Sequence, residues 1–183
     1  MKSLPMYFIP FFTILGVSTR FPGSSCNDIV WSDNNVISAH FDKKVRFYDL
    51  RKNSTDPIEE LELGGKVTSL DISRNGLWLL ACCRDDTLRL IDLRSCKLVK
   101  TFATEGFQVA CDFSRATFSP DSQFVSVGSS NGKIFIWNVE DCVNVEKVLV
   151  EHTSPIISLA WQPAGNSLTS CDKLKTVVVW AAI

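Results

Sequence analysis

The sequence predicts an all-β repeat protein, and three observations carry that expectation. Short strands end in an aromatic or large apolar residue at Tyr48, Ile91, Trp137 and Trp180, spaced 43, 46 and 43 residues apart. A second landmark, formed by Ile72, Phe118 and Trp161, keeps the same beat at 46 and 43 residues. No stretch sustains the 3.6-residue apolar period of an amphipathic helix. Two independent landmarks on one period indicate a chain built from a repeated supersecondary unit.

Taken in order, the chain opens on a different material. Residues 1–20 are apolar, nearly uncharged and interrupted by Pro5 and Pro10. The run is shorter than the roughly 20 apolar residues of a membrane-spanning helix, and two prolines would kink any helix there. It reads either as a secretory signal, with Lys2 ahead of an apolar stretch from Leu4 to Val17, or as an upstream segment joined by splicing, alternative initiation or a partial gene model. The intracellular character of the rest favours the second. Repeats then follow at about 26–63, 64–102, 110–150 and 151–183 in a domain running over 21–183. The second predicts strands at Val67–Ile72, Leu77–Cys82, Leu88–Asp92 and Lys97–Thr101. Its turns are Arg74-Asn75-Gly76 and Arg84-Asp85-Asp86. The third predicts Ala116–Ser119, Phe124–Gly128, Lys133–Asn138 and Val145–Val150, with turns at Pro120-Asp121-Ser122 and Ser130-Asn131-Gly132. Runs such as Val125-Ser126-Val127-Gly128 suit strands packed between neighbouring sheets.

Composition bounds the function. Hydrophobic residues are 45% and charged residues 21% of the 183, a globular balance. Nineteen Lys+Arg against twenty Asp+Glu leave a net charge of −1, without the electrostatic footprint of a nucleic-acid binder. Two histidines, His40 and His152, are too few for a His-rich metal site. Seven cysteines with no C-x-x-C pair argue for reduced thiols in an intracellular protein. No metal and no cofactor are expected. Asp42-Lys43-Lys44 and Asp85-Asp86 occupy tight turns where Asp is favoured for its backbone hydrogen bonds. Gly64-Gly65-Lys66 lacks the upstream glycine of a phosphate loop and precedes a strand.

The period, the four strands per unit and the Trp-Asp-like endings resemble the WD40 β-propeller family over about residues 23–183. Tyr48 and Ile91 stand where that family usually has Trp, and Asn138 and Ala181 where it has Asp. Its Gly-His opening survives only as Glu151-His152. The resemblance implies a structural hydrogen-bond chain through His152, Ser170, Asp172 and Trp180. Asp172 lies eight residues before Trp180, whereas Asp42 and Asp85 lie six before Tyr48 and Ile91, which reads as a two-residue insertion in the last repeat. The same Ser, His and Asp invite a catalytic-triad reading. No G-x-S-x-G elbow presents the serine, and a satisfied buried network explains the residues as well. A non-enzyme is expected. Only four repeats fit, where the family usually closes seven blades. The expectation is therefore a partial propeller, the C-terminal half of a larger one, with two blade faces uncovered.

Longer strings narrow the resemblance: Gly23 to Val30 (GSSCNDIV), His40 to Phe47 (HFDKKVRF), Arg84-Asp85-Asp86, Ile91 to Arg94 (IDLR), Phe118 to Asp121 (FSPD) and Val145 to Leu149 (VEKVL). These are similar to the C-terminal half of the autophagy-related 16-like proteins. The resemblance implies a scaffold that helps direct lipidation of ubiquitin-like proteins on phagophore or endolysosomal membranes. Its implied partners are the autophagy conjugation complex, through parts outside this chain, and adaptor or receptor peptides and the vacuolar proton pump, through the propeller. The implied location is cytoplasmic and peripheral to those membranes, with secretion the alternative raised by residues 1–20. A generic propeller adaptor, such as a ubiquitin-ligase substrate receptor or trafficking subunit, is the competing class. A non-functional truncated isoform is a further alternative. In a propeller the turn between second and third strands and the connection into the next blade open on one face. Phe41 and Lys66 occupy these two loops in adjacent blades, and the resemblance marks both as important for membrane-linked recruitment. With Lys43 and Lys44 they would form an apolar anchor with a basic rim, and Arg84 is the third candidate. The alternative is that Phe41 packs inside its turn and Lys66 is a solvated charge.

Overall fold

A computed structural model describes residues 23–52 and 54–181. Residues 1–20, the apolar opening segment, lie outside the described residues. Fifteen strands run in chain order as β1 (Cys26–Ser32), β2 (Asn35–His40), β3 (Lys44–Asp49), β4 (Glu59–Glu62), β5 (Val67–Ile72), β6 (Trp78–Cys83), β7 (Thr87–Asp92), β8 (Lys97–Phe102), β9 (Ala116–Phe118), β10 (Phe124–Gly128), β11 (Lys133–Asn138), β12 (Val145–Val150), β13 (Ile156–Trp161), β14 (Ser167–Asp172) and β15 (Val177–Ala181). They form four antiparallel meanders, β1–β4, β5–β8, β9–β12 and β13–β15. The landmarks Tyr48, Ile91, Trp137 and Trp180 pair with Val36, Leu79, Val125 and Leu168, so one register recurs in every sheet.

The turn between second and third strands has one recipe. Its last residue is left-handed in all four sheets: Lys43, Asp86, Gly132 and Lys175 have φ of 69°, 60°, 80° and 69°. The residue before it steadies the turn, because Asp42 Oδ1 accepts from Lys44 N and Asn131 Oδ1 from Lys133 N. Leu174 cannot do this, and Asp172 Oδ1 instead accepts from the amides of Leu174 and Thr176. Gly132 is required for a further reason: a Cβ there would meet the His152 carbonyl oxygen at 2.3 Å.

Packing is sheet on sheet, in three clusters between neighbours. The first joins Ile37, Ala39, Val45 and Phe47 to Val67, Leu70, Leu79, Ala81 and Ile91. The second joins Leu80, Cys82, Leu88, Leu90 and Phe102 to Phe118, Val125, Val127 and Trp137. The third joins Ile134 and Ile136 to Ile156, Leu159 and Leu168. Alternate residues of β6 therefore enter cores on opposite sides, and strands buried on both faces read as wholly apolar runs. Each fully buried Leu or Phe contributes about 1.5–3 kcal/mol. The innermost strands are also latched by polar bonds: Leu70 N donates to Asp28 Oδ2 (2.9 Å), Ala116 N to Ser69 Oγ (3.1 Å) and Phe118 N to Asp71 Oδ2 (2.7 Å).

One position breaks the repeat. Register places Val127 where Ser170 stands in the last sheet. Ser170 accepts the indole N–H of Trp180, whereas the equivalent indole nitrogen of Trp137 is buried without a partner. Both Val125 and Val127 are wholly buried beside Trp137. Val127→Ser is expected to cost at least about 1 kcal/mol less than Val125→Ser, because only the first hydroxyl satisfies a buried orphan donor worth about 1–3 kcal/mol. Urea-unfolding midpoints of the two variants check the difference.

Candidate functional site

On one face of the molecule, each second-to-third-strand turn is tied to the connection that enters its own sheet. The amides of Phe41, Arg84, Ser130 and Lys173 donate to the carbonyls of Ser25, Lys66, Gln108 and Pro155 at 2.8–3.1 Å. Lys43 is tied as well, its carbonyl accepting from Leu63 N at 2.8 Å. These bonds bring the 41–43 turn, the 63–66 connection and the 84–86 turn into one patch. Gly65 fits because a Cβ there would meet the Asp85 amide nitrogen at 2.6 Å.

Phe41 is half-buried, and the Lys66 ammonium sits over its ring, 4.7 Å from the centroid. Such a cation–π pair is worth about 0.5–1 kcal/mol at an exposed site. The neighbouring charges are largely compensated. Lys44 Nζ lies 2.6 Å from Glu60, and Arg46, buried between two carboxylates, reaches Asp42 at 2.5 Å and Glu60 at 2.7 Å. The Arg46 guanidinium holds the Asp42 carboxyl below its usual range, and Lys44 with Arg46 does the same for Glu60. Arg84 pairs with Asp112 at 3.1 Å and donates to the Val109 carbonyl, fastening the long connection between β8 and β9. Lys43 and Lys66 make no ion pair among the described residues, so the positive charge left uncompensated beside Phe41 is theirs. Asp112 and Val109, which immobilise Arg84, lie 28 and 25 residues from it, and no local pattern signals them.

The second constellation is buried between the last two sheets. His152 Nε2 lies 2.7 Å from Ser170 Oγ, His152 Nδ1 lies 2.9 Å from Asp172 Oδ2, and Trp180 Nε1 donates to Ser170 Oγ at 2.8 Å. The first two distances are those of a catalytic triad. Access decides against that chemistry here. The side chains of His152 and Asp172 are shut from solvent, Ser170 is buried, and the indole occupies the serine oxygen where an electrophile would have to approach. What remains is a closed hydrogen-bond network that pins the entry to β13 against β14 and β15. Burial works to raise the Asp172 carboxyl, yet the bonds from Thr176, His152 and Leu174 outweigh it and leave the carboxyl below its ordinary value.

Register corrects the expected two-residue insertion. Asp172 ends β14, and its equivalents are His40, Cys83 and Ser129, each also eight residues before its landmark. Asp42 and Asp85 are turn residues two places later, aligned with Leu174. The turn in the last sheet has the ordinary length. The same alignment exposes a pair that the repeat pattern concealed: Ser38 matches Ser170, and His40 bonds it directly at 2.7 Å while its Nδ1 meets the Ser24 carbonyl at 3.3 Å. Burial, reinforced by Arg46, pushes the His40 pKa down.

The cysteines make no disulfide, and burial pushes the Cys82 thiol up to about 12. Among the described residues no group of three or more His, Cys, Asp or Glu could hold a metal ion, and no helix is long and apolar enough to cross a membrane.

Antiparallel meanders, three of four strands and one of three, packed face to face with loops gathered on one face, define a β-propeller interaction module. The WD40 family (WD domain, G-beta repeat) matches residues 58–92, 96–138 and 143–181, and the chain belongs to that family. Each matched segment starts at or just before the outer strand of one sheet and ends with the third strand of the next, so every repeat staples two blades together. The chain is similar to Autophagic-related protein 16.2 of Caenorhabditis elegans, 46% identical over 165 residues that cover 86% of this chain and 30% of the relative. Protein Atg16l2 of Mus musculus is 39% identical over 157 residues, 86% of this chain and 25% of the relative. A more distant likeness is to the Denticleless protein homolog of Danio rerio, 26% identical over 158 residues, 79% of this chain and 24% of the relative. The chain thus spans under a third of the length of these relatives.

Ser170→Ala leaves the His152 and Trp180 nitrogens without their shared oxygen, and each orphan is worth about 1–3 kcal/mol. The melting temperature is expected to fall by several degrees, read by circular dichroism. His40 gives a pH dependence. Its folded pKa lies below the ordinary value of about 6.5, so the unfolded chain takes up this proton first as pH falls. Its contribution is complete above about pH 6.5 and is lost as pH drops towards the lowered folded value. Urea midpoints at pH 7.5 and 5.5 should therefore differ more in the natural chain than in His40→Asn.

Proposed function

We propose that the chain is the propeller part of a non-catalytic scaffold of the autophagy machinery, one that helps direct lipidation of ubiquitin-like proteins on phagophore or endolysosomal membranes. The observation that carries this reading is the 46% identity, over most of the chain, to a worm protein whose name states an autophagic role. The family's fold supports an interaction role, and no chemistry of the described site argues for catalysis.

Within this reading Phe41, Lys66 and Lys43 form the contact surface. Phe41 is half-buried, Lys66 caps its ring, and the ammonium groups of Lys43 and Lys66, outside any ion pair among the described residues, favour an acidic or phosphate-bearing partner segment. Arg84 and Lys44 are positioning residues, held by Asp112 and Glu60. Adaptor or receptor peptides and the vacuolar proton pump are the proposed partners of this face, and the conjugation complex would be reached through segments outside this chain. The proposed location is cytoplasmic, peripheral to the membranes served. A second reading, a general WD40 adaptor outside autophagy, draws on the likeness to the Denticleless homologue.

The test is competition in cells that carry the conjugation machinery. The full chain, expressed in excess, should occupy the partner and reduce membrane lipidation of the ubiquitin-like protein by about twofold or more, scored by its gel mobility. Phe41→Ala with Lys66→Ala should relieve that inhibition at equal chain abundance. An inhibition that the double variant leaves unchanged would remove the 41/66 surface from the reading. No effect on lipidation, together with capture of a partner set free of autophagy proteins, would favour the general adaptor.

A further inference from the structure

A groove of about 820 Å³ lies between the second and third sheets, on the face opposite the Phe41 patch. Each of these two sheets packs against a neighbour on both sides, so the groove belongs to the interior of the array. Polar ties across the junction hold its walls together. Arg74 N donates to Ser122 Oγ at 3.1 Å, joining the turn after β5 to the turn after β9. Lys100 Nζ donates to the Val139 and Glu140 carbonyls at 2.8 and 2.6 Å, joining β8 to the connection after β11.

Trp78, Val99 and Val139 supply apolar lining. Register aligns Trp78 with Asn35, Phe124 and Ser167, so an indole stands at this junction and at no equivalent position. Val99 is the extra residue of a bulge, since Leu90 pairs with Lys100 and Ile91 with Leu98. It is 45% exposed on the outer edge of its sheet, where no further strand covers its backbone. Two carboxylates line the same groove, Asp121 and Glu140, and neither makes an ion pair among the described residues. Asp121 uses Oδ1 on Ser119 and the Gln123 amide, which leaves Oδ2 without a partner among those residues. Lys100 is committed to its two carbonyls, and its single charge leaves the lining one charge negative. Asn75 and Asn138 accept through their side-chain oxygens from Leu77 N and Glu140 N, which frees both NH2 groups as donors.

We propose that this groove takes a short extended peptide of a partner protein, with one Lys or Arg side chain at Glu140 and Asp121 and an aliphatic side chain at Trp78 and Val99. An extended chain fits because Asn75 and Asn138 offer donors to its carbonyls from the two walls, and the bare edge at Val99 offers main-chain groups. Alternate residues of a strand share a face, so the basic and aliphatic residues stand two apart. The negative surplus selects the basic residue. The indole, with Val99, supplies the apolar anchor on which such contacts chiefly depend. This site is separate from the Phe41 surface and does not depend on the function proposed above.

The experiment is a magnetic-resonance titration of the isotope-labelled full chain, following the indole N–H signal of Trp78, which is identified by its loss in Trp78→Phe. The probes are capped Gly-Ser hexapeptides carrying Lys, Arg or Glu at one position and Leu or Ser two residues later. Peptides with Lys or Arg and Leu should shift the signal saturably, and Glu for Lys or Ser for Leu should weaken binding about tenfold or more. Glu140→Lys should reverse the charge preference, so that the Glu peptide binds the better. Val99→Ser, on the exposed bulge and outside the core, should weaken the Lys-Leu peptide, whereas Leu174→Ser, exposed on the opposite face, should leave it unchanged. No shift from any peptide at about 5 mM would overturn the proposal. Equal binding of Lys and Glu peptides, or a Glu140→Lys chain that still prefers Lys, would also overturn it. A shift produced by maltohexaose and by none of the peptides would assign the groove to a saccharide instead.

Discussion

Each sheet of this protein has two apolar faces, and neither is covered by the sheet's own strands. That constraint organises everything else. A lone meander of about 40 residues cannot bury both faces, so stability comes from the contact between neighbours and only then from the strands themselves. The middle sheets show the arrangement at its fullest, with Leu79 and Ala81 in one core and Leu80 and Cys82 in the next. The demand is met by hydrophobic burial, which is non-directional, and orientation is added by few polar bonds. Asp28, Ser69 and Asp71 supply that orientation by accepting amides of the adjoining inner strand.

Because the sheets must stand face to face, their turns and connections are forced onto shared rims. The patch around Phe41 follows from this more than from any local preference. Phe41 and Lys66 are 25 residues apart in sequence, yet the bonds that tie each hairpin turn to the connection beside it set the ammonium over the ring. The same geometry consumes most of the nearby charge, as Arg46 draws in Asp42 and Glu60, and Arg84 is spent on the β8–β9 connection. Lys43 and Lys66 keep their ammonium groups outside any ion pair among the described residues.

The Ser170–His152–Asp172 arrangement shows how little interatomic distance says about chemistry without access. Its spacings match a hydrolytic triad, but the serine oxygen also receives an indole N–H and the group is sealed between sheets. A closed polar network in a low-dielectric core fixes one geometry, since leaving any member unpaired is costly. The other sheets keep fragments of it: Ser38 with His40 in the first, and a stranded Trp137 nitrogen in the third where Val127 replaces the serine.

Most of the fold was legible in the residues alone. Strand-end landmarks at constant spacing, turn residues between them and wholly apolar runs determine a repeated meander, because side-chain alternation and turn chemistry act over a few residues. The strands of the second and third repeats lie within a residue or two of where that pattern puts them. Alignment of the turns was a different matter. Asp172 resembles Asp42 and Asp85 in type, and only strand register shows that it belongs with His40, since register depends on pairing between segments and not on residue identity. Tertiary structure alone decided which charges near Phe41 are free, what holds Arg84, and that the triad-like serine is sealed. Each of these depends on groups brought together from distant parts of the chain, and burial and distance are properties of that assembly.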